Sequence, residues 1–175
     1  MVIIMEMSVL YGIQNLRCDI LDNIMVFVST IGNSGIIWII VGLLMLCFKK
    51  YRKCGIAVLI ALIACLILGN GILKNLVARS RPCWIDERVK LLIAVPRDYS
   101  FPSGHTFSSF AAAICIIYFH KKEGIAALVL AVLIAFSRLY LFLQYPTDIL
   151  GGIALGAVNA VLGIYIVNRE LKNTL

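Results

Sequence analysis

Charge is scarce in this chain. Only 14% of its 175 residues are Asp, Glu, Lys or Arg, whereas 62% are hydrophobic, and the mean hydropathy is +0.98. Soluble domains are about 45–50% apolar and about 25% charged, so the composition excludes an ordinary water-soluble protein and predicts an integral membrane protein. The two histidines and six cysteines include no Cys-x-x-Cys pair, and no cluster has metal-ligand spacing. We therefore expect chemistry that uses neither a metal nor another cofactor.

The charges that are present are mostly positive. Lys and Arg number 16 against 9 Asp and Glu, which gives a formal net charge of +7. In a membrane protein such an excess indicates contact with anionic lipid surfaces. No soluble segment carries a basic stripe with interleaved aromatic side chains, so nucleic acid is not an expected partner. The expected partner is the lipid bilayer.

Apolar runs separated by short polar segments predict an all-α, polytopic membrane helical bundle with five to six transmembrane helices. A span needs about 20 predominantly apolar residues. The runs that we interpret as spans or as the main part of spans are residues 36–48, 55–73, 106–119, 124–143 and 149–167. Gly and Ala are frequent in the last of these runs, and they favour close helix packing. We expect a single membrane-embedded domain over residues 1–175.

The first third of the chain is less regular. Residues 1–17 mix apolar and polar side chains and predict an N-terminal interfacial helix. Residues 23–31 are too short to cross a bilayer alone, and Gly32-Asn33-Ser34-Gly35 predicts a turn directly after them. The pattern leaves three interpretations of residues 23–31 open: a short crossing, a re-entrant piece or a second interfacial helix.

The short basic loop Lys49–Lys53 sets the predicted orientation. Because short loops rich in Lys and Arg stay in the cytoplasm, this loop, residues 120–122 and the C-terminal tail are expected on the cytoplasmic face. Successive spans alternate in direction. The polar segment 74–99 and the turns at Pro102 and Tyr145 are therefore expected on the extracytoplasmic face of the cell membrane.

Three clusters of polar residues then fall at the same membrane level. They are Lys74 with Arg79 and Arg81-Pro82, the stretch Pro102-Ser103-Gly104-His105, and Ser137-Arg138 with Asp148. Charges beside or inside spans are costly and usually face a functional interior. A Pro-Ser-Gly turn that opens a helix offers free backbone N–H groups to an anion, and a histidine can transfer a proton near neutral pH. Lys and Arg side chains suit phosphate binding and stabilisation of a phosphoryl-transfer transition state.

These residues resemble the three motifs of the phosphatidic acid phosphatase type 2 superfamily, membrane lipid phosphatases related in their core to vanadium haloperoxidases. The matches cover residues 74–148: Lys, six residues, Arg-Pro; Pro-Ser-Gly-His; and Ser-Arg followed in register by Asp. The resemblance implies a general acid, His105, and a carboxylate that orients the nucleophile, Asp148. It also implies a set of phosphate-binding residues, which are Lys74, Arg81, Ser103, Gly104 and Arg138.

One position departs from the family pattern. The third motif has its nucleophilic His at position 144, where this chain has Gln144. In the family that His attacks phosphorus and becomes a phosphohistidine, but a Gln amide nitrogen has no basic lone pair for such an attack. The resemblance implies a catalytic set of His105, Gln144 and Asp148 that binds substrate and turns it over poorly or not at all. Because every other motif residue is intact, an engineered change is favoured over a natural pseudoenzyme.

The expected function is that of a bacterial-type lipid phosphatase acting outside the cytoplasm. A short chain with an outward site favours undecaprenyl diphosphate, a lipid carrier of cell-wall synthesis, ahead of phosphatidylglycerol phosphate and then phosphatidic acid. Two other classes stay open: a non-catalytic lipid-phosphate binder, and a transporter whose buried charges line a path. Arg79 is interpreted as a secondary phosphate contact or as a surface charge. Trp84, Arg88 and Arg97 are expected to shape a headgroup pocket.

Overall fold

A computed structural model describes residues 2–170, and within that range the chain is a bundle of helices with no β-strand. The all-α class predicted from the sequence is confirmed. The elements are α1 (Val2–Gln14), α2 (Asp19–Ile31), a 3₁₀ turn (Asn33–Gly35), α3 (Ile36–Leu46), α4 (Arg52–Cys65), a π-helix (Leu66–Leu73), α5 (Lys74–Val77), α6 (Pro82–Ile85), α7 (Gly104–Phe119), α8 (Lys121–Tyr140) and α9 (Pro146–Glu170).

Three helical segments of residues 2–170 are long and apolar enough to cross a membrane: Arg52–Ile85, Lys121–Tyr140 and Pro146–Glu170. The pair formed by α2 and the segment Asn33–Leu46, bent by 42°, qualifies as a fourth. Helix α7 is apolar but has only 16 residues. Length and composition thus support three or four spans, fewer than the five to six expected. The expected span 106–119 corresponds to the short helix α7, which packs among α4, α8 and α9. The expected span 36–48 corresponds to α3, which directly follows the turn Asn33–Gly35.

One end of the bundle carries the basic loops. The ring of Tyr51 lies 4.4 Å from the ring of His120, which joins the α3–α4 loop to the α7–α8 turn. Asn168 donates a hydrogen bond to the Tyr118 hydroxyl at 3.1 Å, which brings the end of α9 to the same place. This arrangement agrees with the predicted alternation of the spans. The tail residues 171–175 lie outside the described range.

Close packing of α9 on α7 joins two of the motifs. A Cβ atom at Gly156 would lie 2.9 Å from the carbonyl oxygen of Phe107, and one at Gly152 would lie 3.0 Å from that of Ser103. Only glycine permits such an approach between two helix backbones. As a result, the Ser103 N–H donates to the carbonyl oxygen of Asp148 at 3.2 Å. The prediction that Gly residues of this span serve close packing is confirmed.

The π-helix leads directly into Lys74. A π turn takes in an extra residue per turn, widens the helix and rotates whatever follows it, and such turns are frequent at functional sites. Helix α5 ends after four residues at Ala78, whose left-handed backbone (φ 46°) lets its N–H donate to the Lys74 carbonyl at 2.9 Å. Lys74 is 7% exposed. Its ammonium group is therefore held inside the bundle instead of reaching outward to the membrane surface.

Helix α1 is fastened to the other end of the bundle, away from the basic loops. Leu10 is fully buried, and the Gln14 amide donates to the carbonyl oxygen of Tyr140 at 2.9 Å. The Tyr11 hydroxyl donates to Asp86 at 2.5 Å. These contacts hold α1 against the C-terminal end of α8, beside the residues of the third motif. Placement of α1 at the membrane interface stays a prediction.

Candidate active site

A cavity of about 440 Å³ opens at this end of the bundle, between the C-terminal part of α2, the start of α7, the end of α8 and the loop before α7. Six of the eight site residues implied by the motifs line it: Lys74, Arg81, Gly104, His105, Arg138 and Gln144. Ser103 and Asp148 have no exposed surface and lie behind the wall. The volume is in the range of ordinary small-molecule sites.

Asp98 joins two of the cations. Its Oδ2 contacts the Lys74 ammonium group, and its Oδ1 accepts a hydrogen bond from Arg81 Nη2 at 2.8 Å. Arg81 is fixed further by the backbone, since Nε donates to the Asp98 carbonyl at 2.6 Å and Nη1 to the Leu143 carbonyl at 2.9 Å. The Asp98 side chain is 52% exposed, although both cations are buried. A carboxylate thus stands where the motifs imply a phosphate.

The electrostatics of this contact keep Asp98 ionised. Burial acts to raise the pKa of the Asp98 carboxyl, but the hydrogen bond from Lys74 and the charges of Arg81 and Lys74 outweigh it, and the pKa lies below its ordinary value. At neutral pH the cavity therefore contains its own anion, which an incoming phosphate must displace or share.

Two buried polar atoms of cavity-lining residues have no hydrogen-bond partner within the described range. Arg138 is 4% exposed, and its Nη1 donates to the Ser29 hydroxyl, but Nε is unpaired. Gln144 is 2% exposed, and its Oε1 is unpaired. Unpaired buried polar groups cost free energy and are rare in native proteins. Both residues line the cavity. An anionic ligand bound there can accept from Arg138 Nε, whereas Gln144 Oε1 is itself an acceptor and needs a donor.

His105 lies in the first turn of α7 and has a partner from the turn between α2 and α3. Its Nε2 is 3.0 Å from Oδ1 of Asn33. An amide oxygen accepts a hydrogen bond, so in this contact Nε2 carries a proton and Asn33 orients the imidazole ring. The general-acid role of His105 stays a prediction. The polar turn Gly32–Gly35 therefore belongs to the site.

Ser103 is the N-cap of α7. Its Oγ accepts a hydrogen bond from the Thr106 N–H at 3.4 Å and lies 2.9 Å from the Thr106 hydroxyl. Serine is among the preferred N-cap residues because its oxygen satisfies a free N–H group of the first turn. The second motif lines the cavity with Gly104 and His105, and a contact of the Ser103 hydroxyl with phosphate stays a prediction.

Asp148 is surrounded by donors. Its Oδ1 accepts from Arg79 Nη1 at 2.6 Å, while its Oδ2 accepts from the backbone N–H of Tyr145 at 2.8 Å and from the Ser100 hydroxyl. Arg79 Nη2 also contacts the carboxylate of Glu6. Arg79 does not line the cavity, and its side chain is 19% exposed. Arg79 is therefore neither a phosphate contact in this cavity nor a surface charge. The buried carboxylates of Glu6 and Asp148 hold it on the side of Asp148 that faces away from the cavity lining.

The sequence profile of the PAP2 superfamily matches residues 53–172. The chain belongs to the PAP2 superfamily. An undecaprenyl-diphosphatase from Sulfolobus acidocaldarius is 34% identical over 147 residues, which cover 83% of this chain and 70% of that protein. The undecaprenyl-diphosphatase BcrC of Bacillus subtilis is 28% identical over 140 residues, which cover 80% of this chain and 72% of that protein. The chain is thus related to phosphoric ester hydrolases of membrane lipids.

Solved structures agree with this family assignment. The crystal structure of a transmembrane PAP2 type phosphatidylglycerolphosphate phosphatase from Bacillus subtilis matches with a TM-score of 0.74 and 26% identity, over 98% of this chain and 87% of that chain. Aquifex aeolicus LpxE matches with a TM-score of 0.74 and 22% identity, over 92% and 95% of the two chains, which shows the shared fold. The chain is a multi-pass membrane protein with the PAP2 fold.

The loop between the first and second PAP2 motifs forms one wall of the cavity. Residues 93–96 line it, together with Asp98. Trp84 does not line the cavity itself but supports this loop, since its Nε1 donates a hydrogen bond to the Pro96 carbonyl at 3.1 Å. The Arg88 side chain is 89% exposed, and Arg97 is exposed as well. None of the three residues expected to shape a headgroup pocket lines the cavity, because the wall is built from small and apolar side chains.

A second cavity, of about 430 Å³, adjoins the first. Both are lined by Asn33, Lys74, Asp98, Gly104 and His105. The rest of the second cavity is mostly apolar and is formed by α3, α4, the π-helix and α7. The PAP2 site therefore has a polar compartment and an apolar compartment that meet at Lys74 and His105.

Four residues around the site were missed from the sequence: Glu6, Ser29, Asn33 and Asp98. The sequence does contain a sign that Glu6 matters, because Glu6 is the one charged residue of α1. If the helix packs on protein, the buried carboxylate needs an ion-pair or hydrogen-bond partner. Asn33 lies in a polar turn within an apolar region, which is also informative. Ser29 and Asp98 carry no such signal, because a serine satisfies itself within a helix and Asp98 lies in a long polar loop.

Proposed function

We propose that this chain binds a lipid phosphate or diphosphate, with the phosphate in the polar cavity and the lipid tail in the apolar one. The observation that carries the proposal is the convergence of Lys74, Arg81 and Arg138 with His105 on one cavity that continues into an apolar compartment. Clustered Lys and Arg donors suit a phosphoryl group, and a pocket of mixed character suits an amphipathic substrate.

The preferred substrate is undecaprenyl diphosphate, with undecaprenyl phosphate and inorganic phosphate as products. Two relatives that match most of this chain are named undecaprenyl-diphosphatases. Phosphatidylglycerol phosphate is the second candidate, since a similar solved structure is of a phosphatidylglycerolphosphate phosphatase. Phosphatidic acid is the third. The basic loop Lys49–Lys53 supports a site on the extracytoplasmic side, because it lies at the opposite end of the bundle from the cavity.

The reaction proposed for the family site proceeds in two steps. A histidine nitrogen at position 144 attacks the terminal phosphorus, a P–N bond forms, and the bond from phosphorus to the leaving oxygen breaks. His105 gives its proton to that oxygen. A water molecule then attacks the phosphorus of the phosphohistidine, a P–O bond forms, and the P–N bond breaks. The proton of the water goes to His105, and phosphate leaves the freed histidine at position 144. Lys74, Arg81 and Arg138 stabilise the negative charge that moves between the oxygens.

In this chain Gln144 interrupts the route at the first step. Its amide nitrogen has no basic lone pair, so no phosphohistidine forms at that position. We therefore propose that the chain retains binding and lacks turnover. The unpaired donor Arg138 Nε supports a retained binding role, and it also keeps open the second candidate function, a non-catalytic lipid-phosphate binder.

The deciding experiment measures phosphate release in liposomes from the three candidate lipids, with the chain as it is and with Gln144→His. A matched control is Gln14→His, the same change at a glutamine outside the cavity. We expect release only with Gln144→His, and the preferred lipid names the substrate. Release that is equal in the unchanged chain would show that residue 144 is not the nucleophile. No release from any lipid, together with retained orthovanadate binding, would favour the non-catalytic binder.

A further inference from the structure

Helix α1 reaches the catalytic region through one salt-bridge chain. The Glu6 carboxylate contacts Arg79 Nη2, and Arg79 Nη1 donates to Asp148 Oδ1 at 2.6 Å. Glu6 and Asp148 are 5% and 0% exposed. The three charges alternate in sign over a connected path that begins in the first helix and ends at the carboxylate of the third motif.

Further contacts fix the orientation of the three side chains in this ion-pair series. Thr147 donates its backbone N–H to Glu6 Oε1 at 3.0 Å, and its hydroxyl accepts from Arg79 Nη1 at 2.7 Å. The guanidinium carbon of Arg79 lies 4.0 Å from the centre of the Tyr145 ring. A planar guanidinium held on both edges and on one face has a single orientation. Glu6 thus determines which Arg79 nitrogen points at Asp148.

Asp148 has limited acceptor capacity, and Arg79 takes up part of it. A carboxylate offers about four lone-pair positions. Three donors occupy Asp148, from Arg79, Ser100 and the Tyr145 N–H. That leaves about one position for a ring N–H of a histidine at 144. The geometry of the remaining position depends on how the other three donors hold the carboxylate.

We propose that Glu6 and Arg79 are positioning residues for Asp148, and that together they set the basicity of a nucleophilic histidine at position 144. The inference rests on the proposed function. The negative charge of Asp148 favours the protonated imidazole, the positive charge of Arg79 opposes it, and the negative charge of Glu6 offsets Arg79. The other charged or titratable groups that line the cavity with residue 144 act on the imidazole as well and are the same in every variant compared; they are Lys74, Arg81, Asp98, His105 and Arg138. The N-terminal helix therefore contributes to the site without touching the substrate.

The test uses the Gln144→His chain and two further substitutions with opposite predicted effects. Glu6→Gln leaves Arg79 uncompensated, so the imidazole loses its proton more easily and the acidic limb of the pH profile of kcat/KM moves to lower pH. Arg79→Gln moves the same limb to higher pH. We expect each displacement to be about half a pH unit or more. The double variant, which removes both charges, should return the limb close to its starting pH.

A split between kinetic constants separates positioning from damage. Neither Glu6 nor Arg79 lines the cavity, so KM should stay within about twofold, whereas kcat should fall about tenfold or more because misplacement of a reacting group by about 1 Å can cost a factor of a hundred. Asp19→Asn is the matched control, because it removes a carboxylate from an exposed position. Displacement of the limb in the same direction by both substitutions, or no displacement, would overturn the inference.

A second measurement decides the question even without turnover. The imidazole introduced by Gln144→His can be titrated by NMR in detergent micelles, and its signal is found by comparison with the unchanged chain. The same opposite shifts are expected in that titration. If phosphate release fails but the ring shifts in opposite directions, the proposed function is wrong and the positioning role stands. If release succeeds but the ring does not respond, the positioning role is wrong and the proposed function stands.

Discussion

The two sides of the site wall are built in different ways. Behind the wall, both oxygens of Asp148 have donors, and Arg79 lies between two buried carboxylates. In front of it, Arg138 and Gln144 each have an unpaired buried atom, and the anion between Lys74 and Arg81 is half exposed. The rear group holds the carboxylate of Asp148 in place, whereas the front group leaves one donor, on Arg138, and one acceptor, on Gln144, available to a ligand. Substitutions in the two groups should therefore change different observables.

The largest expected effect is the loss of a front cation. Arg138→Met, made in the Gln144→His chain, should lower kcat/KM for phosphate release by about a thousandfold, because it removes a buried donor from the transition state. Arg88→Met is the matched control, since the Arg88 side chain is 89% exposed and does not line the cavity. A loss of less than tenfold would mean that Arg138 serves the fold and not the phosphate.

A rear substitution should instead change stability. Asp148→Asn in the unchanged chain removes the negative partner of Arg79 and leaves a largely buried cation next to a neutral amide. Breaking a buried pair in this way costs about 3 kcal/mol of unfolding free energy. Equilibrium unfolding in detergent measures it, with Asp19→Asn as the exposed control. A change as small as that of the control would show that Glu6 alone compensates Arg79.

This contrast also explains what was predictable from the sequence. Lys74, Arg81 and Arg138 were identified because charges next to apolar spans are rare and costly, and their spacing matches three motifs. The pairing of Glu6 with Arg79 joins residues 73 positions apart, and no local pattern encodes it. Arg79 itself was visible, but its role was not, because a charge two residues before Arg81 can face the cavity or the back of its wall.

Asp98, on the cavity side of the site, is another residue whose contacts no local sequence pattern encodes. It lies in a loop without periodicity, so its side chain direction could not be deduced, although the cations it contacts could. The number of spans depends on similar information: hydropathy measures how apolar a run is, but whether α7 meets lipid or protein depends on its neighbours. The chemistry of the cavity is thus more visible in the sequence than the contacts that hold it.

Asp98→Asn should act in opposite directions on binding and stability. The neutral amide competes less well for Lys74 and Arg81, so orthovanadate should bind about tenfold more tightly at neutral pH, a gain of about 1.4 kcal/mol. Unfolding free energy should fall, because an ion pair is lost. Isothermal titration and unfolding in detergent give the two values.

The pKa of Asp98 also predicts how the stability contribution of its ion pair changes with pH. The pKa of Asp98 lies below its ordinary value of 3.8 in the folded chain, so its ion pair contributes stability above that value and loses it as the pH falls through the lower, folded value. The Asn variant should lack this acid-sensitive part of the stability. Unchanged orthovanadate affinity would show that Asp98 shares the cations with the anion instead of competing for them.

The smallest expected effect concerns Gln144 in the unchanged chain. Its buried Oε1 has no partner among the described residues, and an apolar side chain of similar size avoids the cost of that unpaired acceptor. Gln144→Met should therefore raise the unfolding free energy by up to about 1 kcal/mol. Gln14→Met is the matched control and should lower it, because the Gln14 amide donates to the Tyr140 carbonyl. If Gln144→Met also lowers stability, the amide of Gln144 is satisfied in the folded protein and the front of the site is less open than its unpaired atoms indicate.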